Sequence, residues 1–120
     1  SIGSRGSFDS AVNQVRQPLY VVLSNGDIRN RYQIRITNKA GQDQTYQITA
    51  RGIPDGALDL GNFREITVKP GHSGLVQASV RLSPEVAAKT QRFEIVITPK
   101  GNAAEVRSEA VRFDTPGKRQ

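Results

Sequence analysis

The 120-residue chain contains no cysteine, no methionine and no tryptophan. Without cysteine there is no disulfide, no thiolate zinc site, no cysteine-ligated iron–sulfur cluster and no thiol nucleophile in these residues. The compartment stays open, since exported domains of this size need no crosslink to fold. A natural chain that opens "SIGSRGS" and holds no methionine reads as a piece of a longer polypeptide, its first residues a joining sequence. Long apolar runs are missing as well. The longest, "LYVVL", is strand length, far short of the ~20 residues that cross a bilayer as a helix. No signal peptide is visible, and a piece of a longer chain would show none.

A concentrated block of charge is also absent. Seventeen Lys and Arg outweigh eleven Asp and Glu, for a net charge of +6. The basic residues are nevertheless spread from Arg5 to Arg119, without the interleaved aromatics that stack single-stranded bases. This composition favours a solvated basic surface over a nucleic-acid site. A mild attraction to anionic headgroups is the other reading of the charge.

What the chain does have is period-2 alternation, almost throughout. "RYQIRITN" puts Tyr32, Ile34 and Ile36 on one face and Arg31, Gln33, Arg35 and Thr37 on the other. "QTYQITAR" repeats the pattern through Tyr46, Ile48 and Ala50, and the polar "NKAGQDQ" between them has the length of a hairpin loop. "EITV", "LVQASVRL" and "RFEIVITP" alternate likewise, placing Val76, Ala78, Val80, Leu82, Phe93, Ile95 and Ile97 inward. "SFDSAVNQV" alternates weakly, and "ALDL" could pair briefly at an edge. "PLYVVL" is apolar on both faces, as a strand between two layers would be. In "EVRSEAVRFD" the phase slips between Val106 and the Val111/Phe113 pair, which predicts a bulge.

One short helix is expected over residues 84–89, with Ser83 as N-cap, Pro84 in the first turn and Glu85 at the positive end. Seven to nine short strands with turn signals every 8–12 residues predict an all-β, immunoglobulin-like sandwich, because a single sheet would leave its apolar face wet. The organisation expected is a flexible segment over 1–7, the sandwich over 8–114 and a flexible tail over 115–120.

The stretch "VRQPLYVVLSNGDIRNRYQIRITNK" resembles the FixG/CcoG family, membrane-bound iron–sulfur accessory proteins of cbb-type cytochrome c oxidase. Arg16, Pro18, Leu19, Tyr20, Gly26, Ile28, Arg29, Asn30, Tyr32, Asn38 and Lys39 carry the likeness. "YQITARGIPDGAL" resembles the family's next strand and turn, so the strong match covers roughly residues 15 to 58, judged by its motif spacing. The resemblance implies the C-terminal Ig-like domain of a larger protein, on the periplasmic side of a bacterial inner membrane. It also implies [4Fe–4S] clusters in an N-terminal part not present here, with electron transfer, oxidase assembly and copper homeostasis as the parent's roles.

For these residues themselves the expectation is a non-catalytic module with no cofactor, no metal, no small-molecule ligand and no nucleic acid. Its partner would be protein: another part of the parent, or oxidase assembly subunits. "DIRNR" reads as strand entry, with Asn25-Gly26 turning the chain, Ile28 tucked under the rim and Asn30 bonding neighbouring backbone as in Asx turns. Arg29, Arg31, Gln33 and Arg35 then form the candidate contact face. His72 is a lone histidine and Ser73 beside it lacks a base and an orienting acid, so neither metal nor triad chemistry follows. The pairs Asp55/Asp59 and Glu105/Glu109 lack the dense spacing of a calcium loop. The alternative reading is a free-standing adhesion or carbohydrate-binding sandwich. It is disfavoured because the four Phe and three Tyr sit mostly in core phase.

Overall fold

A computed structural model describes residues 6–117. Of the segment expected to be flexible over 1–7, residues 1–5 lie outside the described residues, as do residues 118–120 of the expected tail. Among the described residues nine strands form in order: β1 (Phe8–Gln14), β2 (Val21–Val22), β3 (Ile28–Asn38), β4 (Gln44–Arg51), β5 (Leu58–Asp59), β6 (Glu65–Val68), β7 (Ser73–Leu82), β8 (Arg92–Pro99) and β9 (Arg107–Arg112). One helix, α1 (Pro84–Lys89), follows β7, and a 3-10 turn (Ala103–Glu105) precedes β9. The strands make two antiparallel sheets. The first runs β1-β3-β7-β5 with β2 also on β3, and the second runs β6-β4-β8-β9. This is the Ig-like sandwich that the alternation predicts.

The alternation works because successive side chains on a strand point to opposite faces. Tyr32, Ile34, Ile36, Tyr46, Val80, Ile95 and Ile97 are fully buried, and Ile48 and Phe93 nearly so. Two aromatic pairs join the sheets: Phe8 meets Tyr46 at 4.9 Å between ring centres, and Tyr32 meets the edge of Phe93 at 5.5 Å. Such pairs are each worth about 0.5–1.5 kcal/mol beyond the area they bury. Where β6 packs on β7, Gly74 leaves room for its neighbour; a Cβ there would lie 2.7 Å from Ile66 Cδ1. The helix starts as its sequence requires, with the Ser83 hydroxyl accepting from the Val86 N–H at 3.3 Å.

Several local expectations are corrected. The segment between β3 and β4 is not a hairpin, because β3 pairs with β1, β2 and β7 while β4 pairs with β6 and β8. The chain crosses from one sheet to the other there. Asn38, fully buried, holds that crossing by donating to the Gln42 and Val68 carbonyls at 2.8 Å each and accepting from the Ala40 N–H. The hairpin lies one step earlier, between β2 and β3, where Gly26 takes φ 93° and the Gly26 N–H meets the Leu23 carbonyl.

"PLYVVL" yields only two strand residues at an edge, and Val22 is 53% exposed. The strand β9 has no bulge: its register against β8 is continuous from Arg107 to Arg112. The apparent slip arises because Val106 ends the 3-10 turn outside the strand. Arg107 and Glu109 occupy the inward phase instead. They sit at the sandwich edge facing β1, where Ser10 donates to Glu109 and Arg107 lies 5.8 Å from the centre of the Phe8 ring.

Candidate partner-docking surface

β3 is central in the first sheet, so its odd-numbered residues are presented in the middle of that sheet's outer face. "DIRNR" is thus not an entry to the strand but largely the strand itself, from Ile28 onward. Across the ladders Arg29 faces Arg81, Arg31 faces Ser79, Gln33 faces Gln77 and Asn13, and Arg35 faces Leu75 and Ala11. Arg35 is exposed, while Arg29, Arg31 and Gln33 are half-buried among their neighbours. The structure therefore brings all four predicted residues onto one face.

Arginines hold the middle of that face, while its acids, Asp9 on β1 and Asp59 on β5, stand on the flanking strands. Like charges directly opposite on neighbouring strands weaken a sheet, and Arg29 stands opposite Arg81. Arg81 is relieved by Asp27, with its Nε donating to Oδ2 at 2.8 Å. That hydrogen bond holds the Asp27 carboxyl below its usual range, against the opposing effect of burial. Arg29 has no such acid: its Nε is buried without a hydrogen-bond partner among the described residues. Arg31 reaches the Gln17 carbonyl at 3.4 Å and makes no ion pair among the described residues. Leu75, 49% exposed, adds an apolar spot beside Arg35. Arginines set among uncharged polar side chains, with no lysine, match the composition of protein contact surfaces.

Asn30, read as a local Asx residue, does something else. It is fully buried and clamps the segment after β9. Its Nδ2 donates to the Asp114 carbonyl and its Oδ1 accepts from the Asp114 N–H, each at 2.8 Å, and from Gln14 Nε2 at 2.7 Å. The remaining candidates do not converge. His72 is exposed in the turn between β6 and β7, and Ser73 Oγ lies 2.7 Å from Thr37 Oγ1. Glu105 is engaged by Ser7, through both its N–H and its hydroxyl, and Glu109 by Ser10. Asp59 accepts from the Gly61 N–H. Among the described residues no group of three or more His, Cys, Asp or Glu could hold a metal ion. No described helix is long and apolar enough to cross a membrane.

Sequence reasoning missed Arg81 as a member of the charged face. Its outward phase in "LVQASVRL" was visible, but its position opposite Arg29 required the register.

Comparison with known proteins agrees with this architecture. A family model described as "IG-like fold at C-terminal of FixG" matches residues 1–116. Protein RdxB of Cereibacter sphaeroides is 39% identical over 110 residues, covering 92% of this chain and 20% of that protein. Protein RdxA of the same organism is 44% identical over 48 residues, 40% of this chain and 10% of that protein. The chain therefore matches only about a fifth of RdxB and a tenth of RdxA. The crystal structure of a FixG-related protein from Vibrio parahaemolyticus superposes with a TM-score of 0.76 at 20% identity, over 93% of this chain and 99% of that one.

Proposed function

Since the chain belongs to the family of Ig-like domains at the C-terminus of FixG, we propose that it is a non-catalytic contact module of a larger membrane-bound redox protein. In this reading, iron–sulfur chemistry belongs to the N-terminal part of the parent. The domain serves the parent's assembly and copper-handling work on a cbb-type oxidase by docking on protein. It lies on the periplasmic side of the bacterial inner membrane, tethered through the parent.

The observation that carries the reading is the outer face of β3, where Arg29, Arg31 and Arg35 are gathered with no ion pair among the described residues. An arrangement that weakens the isolated sheet is explained if an acidic or carbonyl-rich protein surface covers it. The test is Arg31→Glu with Arg35→Glu in the full-length parent, followed by in-cell crosslinking to oxidase assembly subunits. Crosslink yield is expected to fall several-fold while the protein level is maintained. Unchanged yield would remove this face from the docking surface.

A further inference from the structure

The second sheet has a notch. β4 spans Gln44–Arg51, yet β6 pairs only with Gln44–Gln47. The residues between β4 and β6 do not continue the ladder; they swing out through Pro54, Gly56 and Gly61 and supply β5 to the other sheet. The edge of β4 over Ile48–Arg51 therefore lacks a strand on the β6 side. The direction of its free groups follows from two bonds. Lys100 N–H meets the Thr45 carbonyl on the β8 side, and Ile48 N–H meets the Arg64 carbonyl on the other, at 3.4 Å. Alternation then aims the Ala50 N–H and carbonyl, with the Ile48 carbonyl, into the notch.

A concavity of about 740 Å³ fills this place. Its floor is the β4 edge. Its apolar wall is Ile53, Leu58 and Leu60, and Phe63, 62% exposed, stands at its rim. Its charged lining is Asp55 and Asp59 against Arg64 alone, two acids to one base. That local sign runs against a chain whose net charge is +6. None of these three side chains makes an ion pair among the described residues.

We infer that the notch is a strand-addition site for an extended peptide segment carrying lysine or arginine. The segment continues the second sheet where β6 stops, antiparallel to β4. At about 3.3 Å per residue, the four open positions accept a stretch of roughly 13 Å. Main-chain bonds to Ala50 and Ile48 supply register, and an apolar side chain covers Phe63. A basic side chain meets Asp55 and Asp59. Peptides that add a strand divide the work in this way, main chain for affinity and side-chain pockets for selection. The site lies along β4 in the second sheet and the arginine face on β3 in the first; Asp59, in the same cross-strand row as Ser79 and Arg31, borders both, and the two select opposite charge.

The experiment uses the 120-residue chain, isotope-labelled, and three five-residue probes with blocked ends. The first is Val-Lys-Val-Lys-Val, the second Val-Glu-Val-Glu-Val, and the third the lysine peptide N-methylated at alternate residues. The lysine peptide is expected to shift the amide signals of Ile48, Ala50 and the 53–64 segment. The glutamate peptide should bind about tenfold more weakly, since like charges then face each other. The N-methylated peptide should not bind, having lost its ladder donors. Phe63→Ala, at an exposed position that leaves the core untouched, should weaken binding several-fold, and Asp55→Asn with Asp59→Asn should erase the charge preference. Arg31→Glu with Arg35→Glu should leave peptide binding unchanged, so this inference and the docking reading fail separately. Equal binding of the two charged peptides, undiminished binding of the N-methylated one, shifts at Arg29–Arg35 instead, or no shifts at millimolar peptide would each overturn it.

Discussion

Asn30→Ala removes three hydrogen bonds that span 16 and 84 residues of sequence. Two of the abandoned partners are the main-chain N–H and carbonyl of Asp114, a residue only 3% exposed. A buried group stripped of its partner costs about 1–3 kcal/mol. Gln14 is half-buried and can turn to water, so it adds little. The expected loss is therefore about 2–6 kcal/mol, a large share of the 5–15 kcal/mol typical of whole domains. At about 4 °C per kcal/mol for a chain of this size, the melting midpoint should fall by about 8–24 °C. Urea titration gives the free energy and its slope, and amide exchange at Asp114 shows whether the clamp itself has opened. A loss below about 0.5 kcal/mol, with exchange at Asp114 unchanged, would refute the assignment of Asn30 as the clamp.

Ile36→Ala, in a fully buried site, should cost about 2–5 kcal/mol by urea titration; a cost under 1 kcal/mol would mean the inward phase of β3 is misassigned. Glu105 is held below the usual glutamate range, first by the Ser7 hydroxyl and then by the Ser7 N–H. Its contribution is therefore present above the ordinary glutamate value and lost as pH falls through the lowered folded value. Stability measured against pH should show that acid limb in the natural chain and a flatter one in Glu105→Gln; identical limbs would remove the bond from the balance. Titration calorimetry with Cu(I) and Cu(II) should show no binding beyond that of unrelated basic domains. A one-to-one site lost on His72→Ala would make the β6–β7 turn functional.

The fold class was legible because most inward positions on the long strands are apolar at period 2, as Tyr32, Ile34 and Ile36 are, even though the same face of β3 also buries Asn30 and Asn38. Pairing was not legible, since the same alternation serves whichever strand lies alongside. The β3–β4 crossing therefore passed for a hairpin, and Asn38, which holds it, carries no local signature. Asn30 was misread for a related reason: its type predicts a local backbone bond, while its partner lies 84 residues away. Residues 29, 31, 33 and 35 could be placed on one outer face from phase alone. The arginine opposition that makes the face distinctive could not, because it depends on which residue of β7 sits beside Arg29. The β4 notch was illegible for the same reason, as it exists only because β6 is shorter than its neighbour.

Arg107 and Glu109, turned inward on the outermost strand of the second sheet, bear on how the domain behaves in a crowd of its own copies. An unpaired strand edge is a template on which another copy can add, and repeated addition leads to fibrils. A copy arriving alongside β9 would have to enclose a guanidinium and a carboxylate at positions where its own pleat offers apolar side chains. That loss of hydration opposes growth on this side of the molecule. Tied back to Phe8 and Ser10, the two charges make this edge a poor template for a second copy. Replacing both by valine should favour the folded monomer little and self-association strongly, visible as concentration-dependent light scattering.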